Sequence, residues 1–339
     1  MKDESTIPYS FLDLAILKED EDHSSAFRRC VNIAQHVESL GYNRFWVAEH
    51  HNMAAVGSVA PIVLMSHIAH QTHRIRVGAG GIMLPNHSPL MVAEQIGTLE
   101  RLYPGRIDLG LGRAPGTDQK TASILRRGRM ETVQEFPEDL EELKAYFLEY
   151  EEGRGVRAFP AEGLKVPMYL LGSSMSSARL SAQLGMPYVF ASHFAPTYFL
   201  EAMSYYRKNF RSSESCSHPY GIACINVIVA ASEEKANYLA TSFLQMALGI
   251  LRGKSYPLRA PVNDMDKVWS PEEAFALQRM LSYSYIGTAA SVKKGIRELI
   301  SSTGINEVMI TTNIYEESDR KESLALTAEV MNEINLVEG

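Results

Sequence analysis

Apolar runs and amphipathic segments alternate along this chain. Three short apolar runs predict strands: Arg44–Val47, Ile75–Val77 and Ile107–Leu109. Between them, Ala60–His70 and Pro89–Leu102 have the spacing of amphipathic helices. This alternation predicts βαβ units and a parallel sheet, whose chemistry collects where the strands end.

Five more apolar runs extend the pattern to both ends of the chain. They are Tyr9–Leu14, Val166–Leu171, Tyr188–Ala191, Ile222–Val229 and Glu307–Thr311. Eight strands separated by helices predict a (β/α)₈ TIM barrel formed by one domain over residues 1–339. Two insertions interrupt it. The first, residues 117–165, is charged and contains a helical pattern at 137–152. The second, residues 251–282, is too irregular for a regular element and suits a packed loop or a lid.

Composition narrows the classes of partner. The chain has 339 residues, a net charge of −7 and no block of Lys and Arg, so we expect small-molecule partners and neither nucleic acid nor a membrane surface. Three irregularly spaced cysteines predict no disulfide framework and no thiolate metal site. Without a signal-peptide pattern or a long apolar run, we expect a cytoplasmic protein.

The first strand-end motif is Ala-Glu-His-His-Asn. Successive side chains of an extended chain point in opposite directions, so only one of His50 and His51 is expected to face the barrel mouth. The alternative is that both histidines have structural hydrogen-bonding roles. We predict no metal site, because no His-Glu-x-x-His pattern or third ligand accompanies them.

Two glycine-rich motifs follow the next strands. Gly78–Gly81 and Gly110–Gly112 each begin like a dinucleotide-binding turn, but Met83 and Pro115 occupy the third glycine positions. Tight turns of the barrel are the favoured interpretation. A third motif surrounds Gly172 and has four serines at the start of a helix.

Free backbone N–H groups at a helix start bind phosphate well. Arg113 is the cationic companion expected for this serine-rich helix start, because a guanidinium binds phosphate through a fork of donors. Together with Gly172, these residues predict a site for a phosphorylated cofactor or substrate.

Five stretches carry a family resemblance: FLDLA (11–15), GYNRFWVAEHHN (41–52), VGAGGIMLPNHSPLMVAEQIGTLERLYPGRIDLGLGRAPGTD (77–118), LLGSSMSSARLSAQLGMP (170–187) and FASHFAP (190–196). The chain resembles the bacterial luciferase-like, flavin-dependent monooxygenases. This resemblance implies a TIM barrel that uses reduced FMN and molecular oxygen to oxidise a small organic substrate, with aldehydes among the candidates. It also implies a separate flavin reductase and a homodimer paired through the second and third helices.

The resemblance assigns residues as well. It implies that His50 and the adjacent Glu49 are the catalytic residues, and that the Gly80–Gly81 peptide is cis against the flavin ring. Implied cofactor contacts are Gly80, Gly81, Arg113, Gly172, Ser174, Ser177 and Ser192. His193 falls near the ring and the substrate. Light-emitting members carry a reactive cysteine where this chain has Gly112, so we expect no light emission.

Two other functions fit the same residues. One is a deazaflavin-dependent hydride transferase on the same fold, which uses no oxygen. The other is a non-catalytic flavin-binding protein, which would hold oxidised FMN tightly and show no substrate-dependent oxygen uptake.

Overall fold

Eight parallel strands close into a barrel that is surrounded by helices. The computed structural model describes residues 6–126, 135–150, 152–153 and 155–338. Residues 127–134, 151 and 154 of the first insertion lie outside this description. The strands are β1 (Tyr9–Asp13), β2 (Arg44–Val47), β3 (Arg76–Met83), β4 (Ile107–Gly112), β5 (Met168–Gly172), β6 (Tyr188–Phe190), β7 (Gly221–Val229), β8 (Ser284–Gly287) and β9 (Glu307–Thr311).

The barrel closes in the order β1, β2, β3, β4, β5, β6, β7, β9, with β9 paired to β1. Every one of these pairings is parallel. The predicted TIM barrel and its eight strands are therefore confirmed. The ninth strand, β8, was not predicted; it pairs with the second half of the long strand β7 and takes no part in closure.

The helices are α1 (His23–Ser39), α2 (Pro61–Gln71), α3 (Pro89–Leu102), α4 (Gln119–Leu125), α5 (Phe136–Ala145), α6 (Met175–Leu184), α7 (Phe199–Asn209), α8 (Glu233–Leu251), α9 (Pro271–Met280), α10 (Ala289–Thr303) and α11 (Glu317–Glu338). Short 3₁₀ turns cover Leu84–Asn86 and Met265–Lys267. Among the described helices, none combines the length and apolar composition needed to cross a membrane.

Side-chain alternation divides the apolar residues of the strands into two cores. One set, including Phe11, Phe45 and Val77, packs outward against the helices. The other set fills the barrel interior, where Trp46 and Met309 belong to a separate buried cluster. This division follows from the period of two in a strand, because each strand has one face towards the helices and one towards the barrel axis.

A buried ionic cluster fills the amino end of the barrel. Arg44 donates to Glu307 through Nε at 2.8 Å and through Nη2 at 2.9 Å. Its Nη1 donates to Asp108 at 2.8 Å and to the Tyr169 hydroxyl at 2.7 Å. Arg76 supplies the second cation to Asp108 at 2.6 Å. These side chains come from five different strands, so the cluster ties the floor of the barrel together.

The glycine motifs are not turns, which corrects that prediction. Gly78–Gly81 lie within β3 and Gly110–Gly112 lie within β4. A Cβ on Gly81 would come 2.7 Å from the Gly110 carbonyl oxygen, closer than such atoms approach. Glycine is therefore needed here because the two strand backbones pass very close to each other, where the register of β3 also shifts.

The second insertion is more regular than its sequence indicated. Residues 271–280 form α9, which begins with a capping box between Ser270 and Glu273 and has Pro271 in its first turn. The expectation of an irregular segment was wrong here, because the capping residues outweigh the low periodicity of the segment. In the first insertion, α5 ends at Ala145, earlier than expected.

Candidate functional site

A cavity of about 650 Å³ opens at the carboxyl ends of the strands. Its floor is the barrel interior, with Trp46 and Met309, and most of its wall is apolar. The volume falls within the range of about 300–1,000 Å³ typical of small-molecule sites. A second hollow, of about 520 Å³, lies on the outer surface by α1, where Arg29 and Glu21 already form an ion pair. The site at the strand ends is the better candidate.

His50 lies on the loop after β2 and lines the cavity. Its Nδ1 lies 3.4 Å from the Gly116 carbonyl, which accepts only, so a hydrogen bond there places the ring proton on Nδ1. The remaining nitrogen, Nε2, then carries a lone pair. Burial lowers the pKa of His50 below its usual 6.5, so the ring is neutral at neutral pH.

His51 turns away from the cavity, as the alternation of side chains predicted. Its Nε2 donates to Glu49 Oε1 at 2.8 Å. The Glu49 carboxylate is fully buried and also accepts from His87 Nε2 at 2.9 Å and from the Met83 backbone N–H at 2.9 Å. Burial acts to raise the pKa of Glu49, but the hydrogen bonds from His87 and His51 outweigh it and leave that pKa lowered.

Glu49 therefore joins the loop after β2 to the end of β3. Its carboxylate does not line the cavity, so the structure gives it a positioning contact with the loop that carries His50.

His193 follows β6 and lines the cavity beside His50. Its Nδ1 is sealed from solvent and has no hydrogen-bond partner among the described residues. Burial, helped by the neighbouring His50, lowers the pKa of His193 to about 3. The cavity thus contains two imidazoles that are both neutral at neutral pH.

The Gly80–Gly81 peptide is cis, as the resemblance implied. Gly80 lines the cavity, whereas Gly81 packs against β4 behind it. Gly112 also lines the cavity, and a Cβ there would come 2.6 Å from the sulfur of Met83. A cysteine at position 112 would therefore require Met83 to move.

The serine-rich helix start and Arg113 meet at one end of the cavity. Arg113 Nη2 donates to Ser176 Oγ at 2.9 Å. Ser174 caps α6 and forms a capping box with Ser177. A Cβ on Gly172 would overlap the Ser177 side chain, so glycine is needed for the strand to meet the helix here. The structure brings the cationic group, the hydroxyls and the helix N-terminus together as the sequence predicted.

The contacts of Ser192 and of Arg113 differ from what the sequence indicated. Ser192 is fully buried and its Oγ donates to the Cys224 carbonyl at 2.6 Å, so its neighbours Ala191 and His193 line the cavity in its place. Ser176, rather than Ser174 or Ser177, is the hydroxyl that contacts Arg113.

One polar residue of the cavity was missed from the sequence. Asn226 is 4% exposed and lies in the apolar strand β7, where it lines the cavity. Its Nδ2 donates to the His193 carbonyl at 2.7 Å and to Ser284 Oγ at 3.0 Å. A single amide within the apolar run Ile222–Val229 was the available signal, because an amide in a buried strand needs dedicated partners.

The roof of the cavity comes from three loops that hydrogen-bond to each other. Leu17 N donates to the Ala55 carbonyl at 2.9 Å, and Leu258 N donates to the Leu17 carbonyl at 2.8 Å. The apolar side chains of Ile16, Val56 and Leu258 pack together in this roof. Part of the second insertion thus covers the cavity.

Comparison with known proteins identifies the family of this chain. The family model for luciferase-like monooxygenases matches residues 10–307. This chain belongs to that family. A luciferase-like monooxygenase of Escherichia coli (strain K12) is 44% identical over 98% of this chain and 99% of its own length. An uncharacterised protein of Bacillus subtilis (strain 168), YvbT, is 46% identical over 95% of this chain and 96% of its own.

Several solved structures share the barrel. The structure titled apo-MsnO8 has a TM-score of 0.90 at 29% identity, covering 96% of this chain and 98% of that one. The oxygenating constituent of 3,6-diketocamphane monooxygenase from Pseudomonas putida, in complex with FMN, has a TM-score of 0.73 at 18% identity, covering 97% and 98%. An F420-dependent secondary alcohol dehydrogenase has a TM-score of 0.66 at 16% identity, covering 96% and 98%.

Proposed function

We propose that this protein is a flavin-dependent monooxygenase that takes reduced FMN from a separate reductase and oxidises a small organic substrate with molecular oxygen. Aldehydes are among the candidate substrates. The observation that carries the proposal is a cluster of Arg113 and serine hydroxyls at the start of α6, here called the cradle, at one end of an apolar cavity that also contains the neutral His50. Membership of the monooxygenase family and the FMN named for one structural relative support it.

The residues at the cradle fit the phosphate of FMN. Arg113 supplies a charged fork, and the start of α6 supplies a helix N-terminus, where backbone N–H groups point towards an anion. Hydroxyls of Ser174 and Ser176 lie 3.0 Å apart beside the guanidinium. A dianionic phosphate would replace this contact between neutral hydroxyls with charge-assisted hydrogen bonds, which are about twice as strong.

The rest of the cavity fits a flat aromatic ring. Gly80 presents no side chain, because a Cβ there would come 2.9 Å from Trp46. The ring would therefore lie against bare backbone, which allows close approach. Apolar side chains such as Leu12 and Val189 line the remaining floor.

When bound, reduced flavin supplies the electrons that activate oxygen. The task of His50 is to accept or share a proton at Nε2. It suits this task because burial keeps its pKa below 6.5 and because the Gly116 carbonyl orients Nδ1. Glu49 holds the loop that carries His50 through its contacts with His51 and the Met83 N–H.

The roof over the cavity excludes water from the reacting atoms. Tyr256, Met280 and Leu281 of the second insertion line the cavity from above. Exclusion of water strengthens each hydrogen bond inside and limits the unproductive release of reduced oxygen.

A homodimer through α2 and α3 is also part of the proposal. Val63 on α2 is 72% exposed and Met91 on α3 is 56% exposed, which suits helices that meet a second copy of the chain. Light scattering would give the mass of a dimer, and Val63→Asp would shift it towards the monomer.

The deciding experiment is an anaerobic titration of the protein with reduced FMN, followed by rapid mixing with oxygenated buffer. We expect tighter binding of reduced than of oxidised FMN, and a return of the oxidised-flavin spectrum that is slower than in free solution. Immediate reoxidation with tight binding of oxidised FMN would favour a flavin-binding protein. Absence of binding would contradict the proposal, and a deazaflavin would then be titrated because F420-dependent enzymes share the fold.

A further inference from the structure

Asn226 is the polar group of the cavity whose chemistry is fixed most firmly by its surroundings. A backbone carbonyl can only accept a hydrogen bond, so the atom 2.7 Å from the His193 oxygen must be the amide nitrogen. The second proton of that nitrogen is directed to Ser284 Oγ at 3.0 Å. Both donors of the amide are therefore in use, and its orientation is not free.

The fixed orientation of the amide also fixes the position of its oxygen, Asn226 Oδ1. Asn226 Oδ1 receives no hydrogen bond from the described residues, yet it is not among the unpartnered side-chain atoms that the fold seals from solvent. Because Asn226 is 4% exposed and lines the cavity, the space that Oδ1 reaches is the cavity itself. The cavity thus contains a fixed acceptor without a donor.

The position of Asn226 adds to this argument. It lies next to Ser284 in the register of β7 with β8, and next to Thr311 in the register of β7 with β9. It is therefore held from both sides as well as by the loop after β6. A side chain held in this way loses little conformational entropy when a ligand binds, so its hydrogen bond contributes more to affinity.

An amide carbonyl oxygen in an apolar wall needs a hydrogen-bond donor, because an acceptor that is removed from water without one destabilises the protein. Leu and Ile occupy other positions of this cavity wall, including Leu171 and Ile250. An amide in place of such a side chain is explained if the occupant of the cavity supplies the missing donor.

We propose that Asn226 Oδ1 accepts a hydrogen bond from an N–H or O–H group of the molecule held in the cavity, and so orients that molecule and selects for the donor. Two sources have this chemistry: the imide N–H of an isoalloxazine ring, and a hydroxyl or N–H of the organic substrate. The first source rests on the proposed function; the second does not require it.

The test compares two probe pairs that differ by one donor. The first pair is reduced FMN and its N3-methyl derivative, titrated anaerobically. The second is 1-octanol and its methyl ether, titrated against the flavin-loaded protein. Each is measured with the native chain, with Asn226→Leu and with the control Ser284→Ala, which removes a tether of the amide but keeps the acceptor.

If the flavin is the source, the native chain binds FMN about fivefold more tightly than the N3-methyl form, as expected for a net hydrogen bond of about 1 kcal/mol. Asn226→Leu loses this preference and Ser284→Ala retains most of it. If the substrate is the source, the two flavins bind alike, and the same pattern appears with the alcohol and its ether.

The proposal is overturned if the native chain discriminates neither pair, or if Asn226→Leu keeps a preference that the native chain shows. Failure of the proposed function gives a different result: no FMN binds, and the alcohol pair, titrated against the flavin-free protein, still tests Asn226. Should Asn226→Leu not fold, Asn226→Ser takes its place, because a serine at this position keeps the strand polar but lacks the Oδ1 atom.

Discussion

The two ends of the barrel treat buried polar groups in opposite ways. At the amino end, Arg44 uses all its donor nitrogens on Glu307, Asp108 and Tyr169. At the carboxyl end, His193 Nδ1 and Asn226 Oδ1 have no partner among the described residues. Both sets lie inside the same barrel and are built from the same strands.

This contrast separates stability from function. A charge that is fully paired in the interior holds strands together, and it has no capacity left to bind a ligand. A neutral polar atom without a partner weakens the fold, and where it reaches the cavity, as Asn226 Oδ1 does, it is available to a ligand. TIM barrels in general place catalysis at the carboxyl end and stability at the amino end. The following predictions test whether this chain divides its residues in the same way.

The largest expected effect is on catalysis. His50→Ala should reduce the rate of oxygen-dependent substrate oxidation about 10²–10⁴-fold, the usual contribution of a positioned acid or base. Affinity for reduced FMN should change little. In the native chain the rate should rise as the pH increases through the pKa of His50, because only the neutral ring accepts a proton. The plateau should be reached before pH 6.5, because burial lowers the pKa of His50 from that value.

The matched control is His218→Ala in the exposed loop between α7 and β7, which should leave rate and pH profile unchanged. A His50→Ala enzyme with full product yield would show that another group moves the proton.

At the amino end, Arg44→Met should lower the free energy of unfolding by about 3–5 kcal/mol, because it leaves the buried Glu307 carboxylate without its cation and Asp108 with one of its two. Reduced-FMN binding by the folded fraction should be retained. Denaturant unfolding measures the loss, and Lys293→Met, which breaks a surface pair with Glu333, should have little effect.

Acid should narrow the difference in the free energy of unfolding between the native chain and Arg44→Met. Burial acts to raise the pKa of Glu307, but the Arg44 charge and hydrogen bonds leave that pKa below 4.5 in the native fold. The stabilisation is therefore present above pH 4.5 and is lost as the pH falls through the lowered pKa. A gap between native chain and Arg44→Met that is constant from pH 7 to pH 3 would contradict this account.

Arg113→Met tests the cradle at the carboxyl end. Loss of charge-assisted hydrogen bonds to the phosphate should weaken reduced-FMN binding about 10–100-fold, with thermal stability unchanged. Equilibrium titration provides the measurement. Arg179→Met, which lies on α6 but stacks over Tyr205, is the control. If Arg113→Met binds reduced FMN as tightly as Arg179→Met does, the phosphate does not bind at Arg113.

The smallest expected effect is at Ser176. Removing its hydroxyl should weaken FMN binding about fivefold, the contribution of a hydrogen bond of about 1 kcal/mol, because Ser176 contacts Arg113 and adjoins the helix start. Ser301→Ala, on the exposed surface, should leave affinity unchanged. A loss at Ser176→Ala as large as that at Arg113→Met would mean that the serine also holds the helix start in place.

Local sequence rules predicted much of the barrel but missed several parts. Eight strands were predicted because each is a continuous apolar run, whereas β8 is a short, half-buried strand that only its pairing with β7 defines. The local signal for α9 is the capping-box sequence Ser270-Pro-Glu-Glu273 at its start, which was not included in the prediction. The cradle of Arg113 and Ser174 was predicted because helix starts and guanidinium groups bind anions by local chemistry.

Order along the chain was enough to specify the fold class, the residues of the proposed phosphate cradle and the place of His50 at a strand end. These depend on period, capping and residue type, which are local properties. The inward role of Asn226, the contact of Ser176 with Arg113 and the enclosure of Ser192 were decided only by the folded chain. Each depends on which atoms from distant segments come within about 3 Å, and hydrogen bonds form only at such distances.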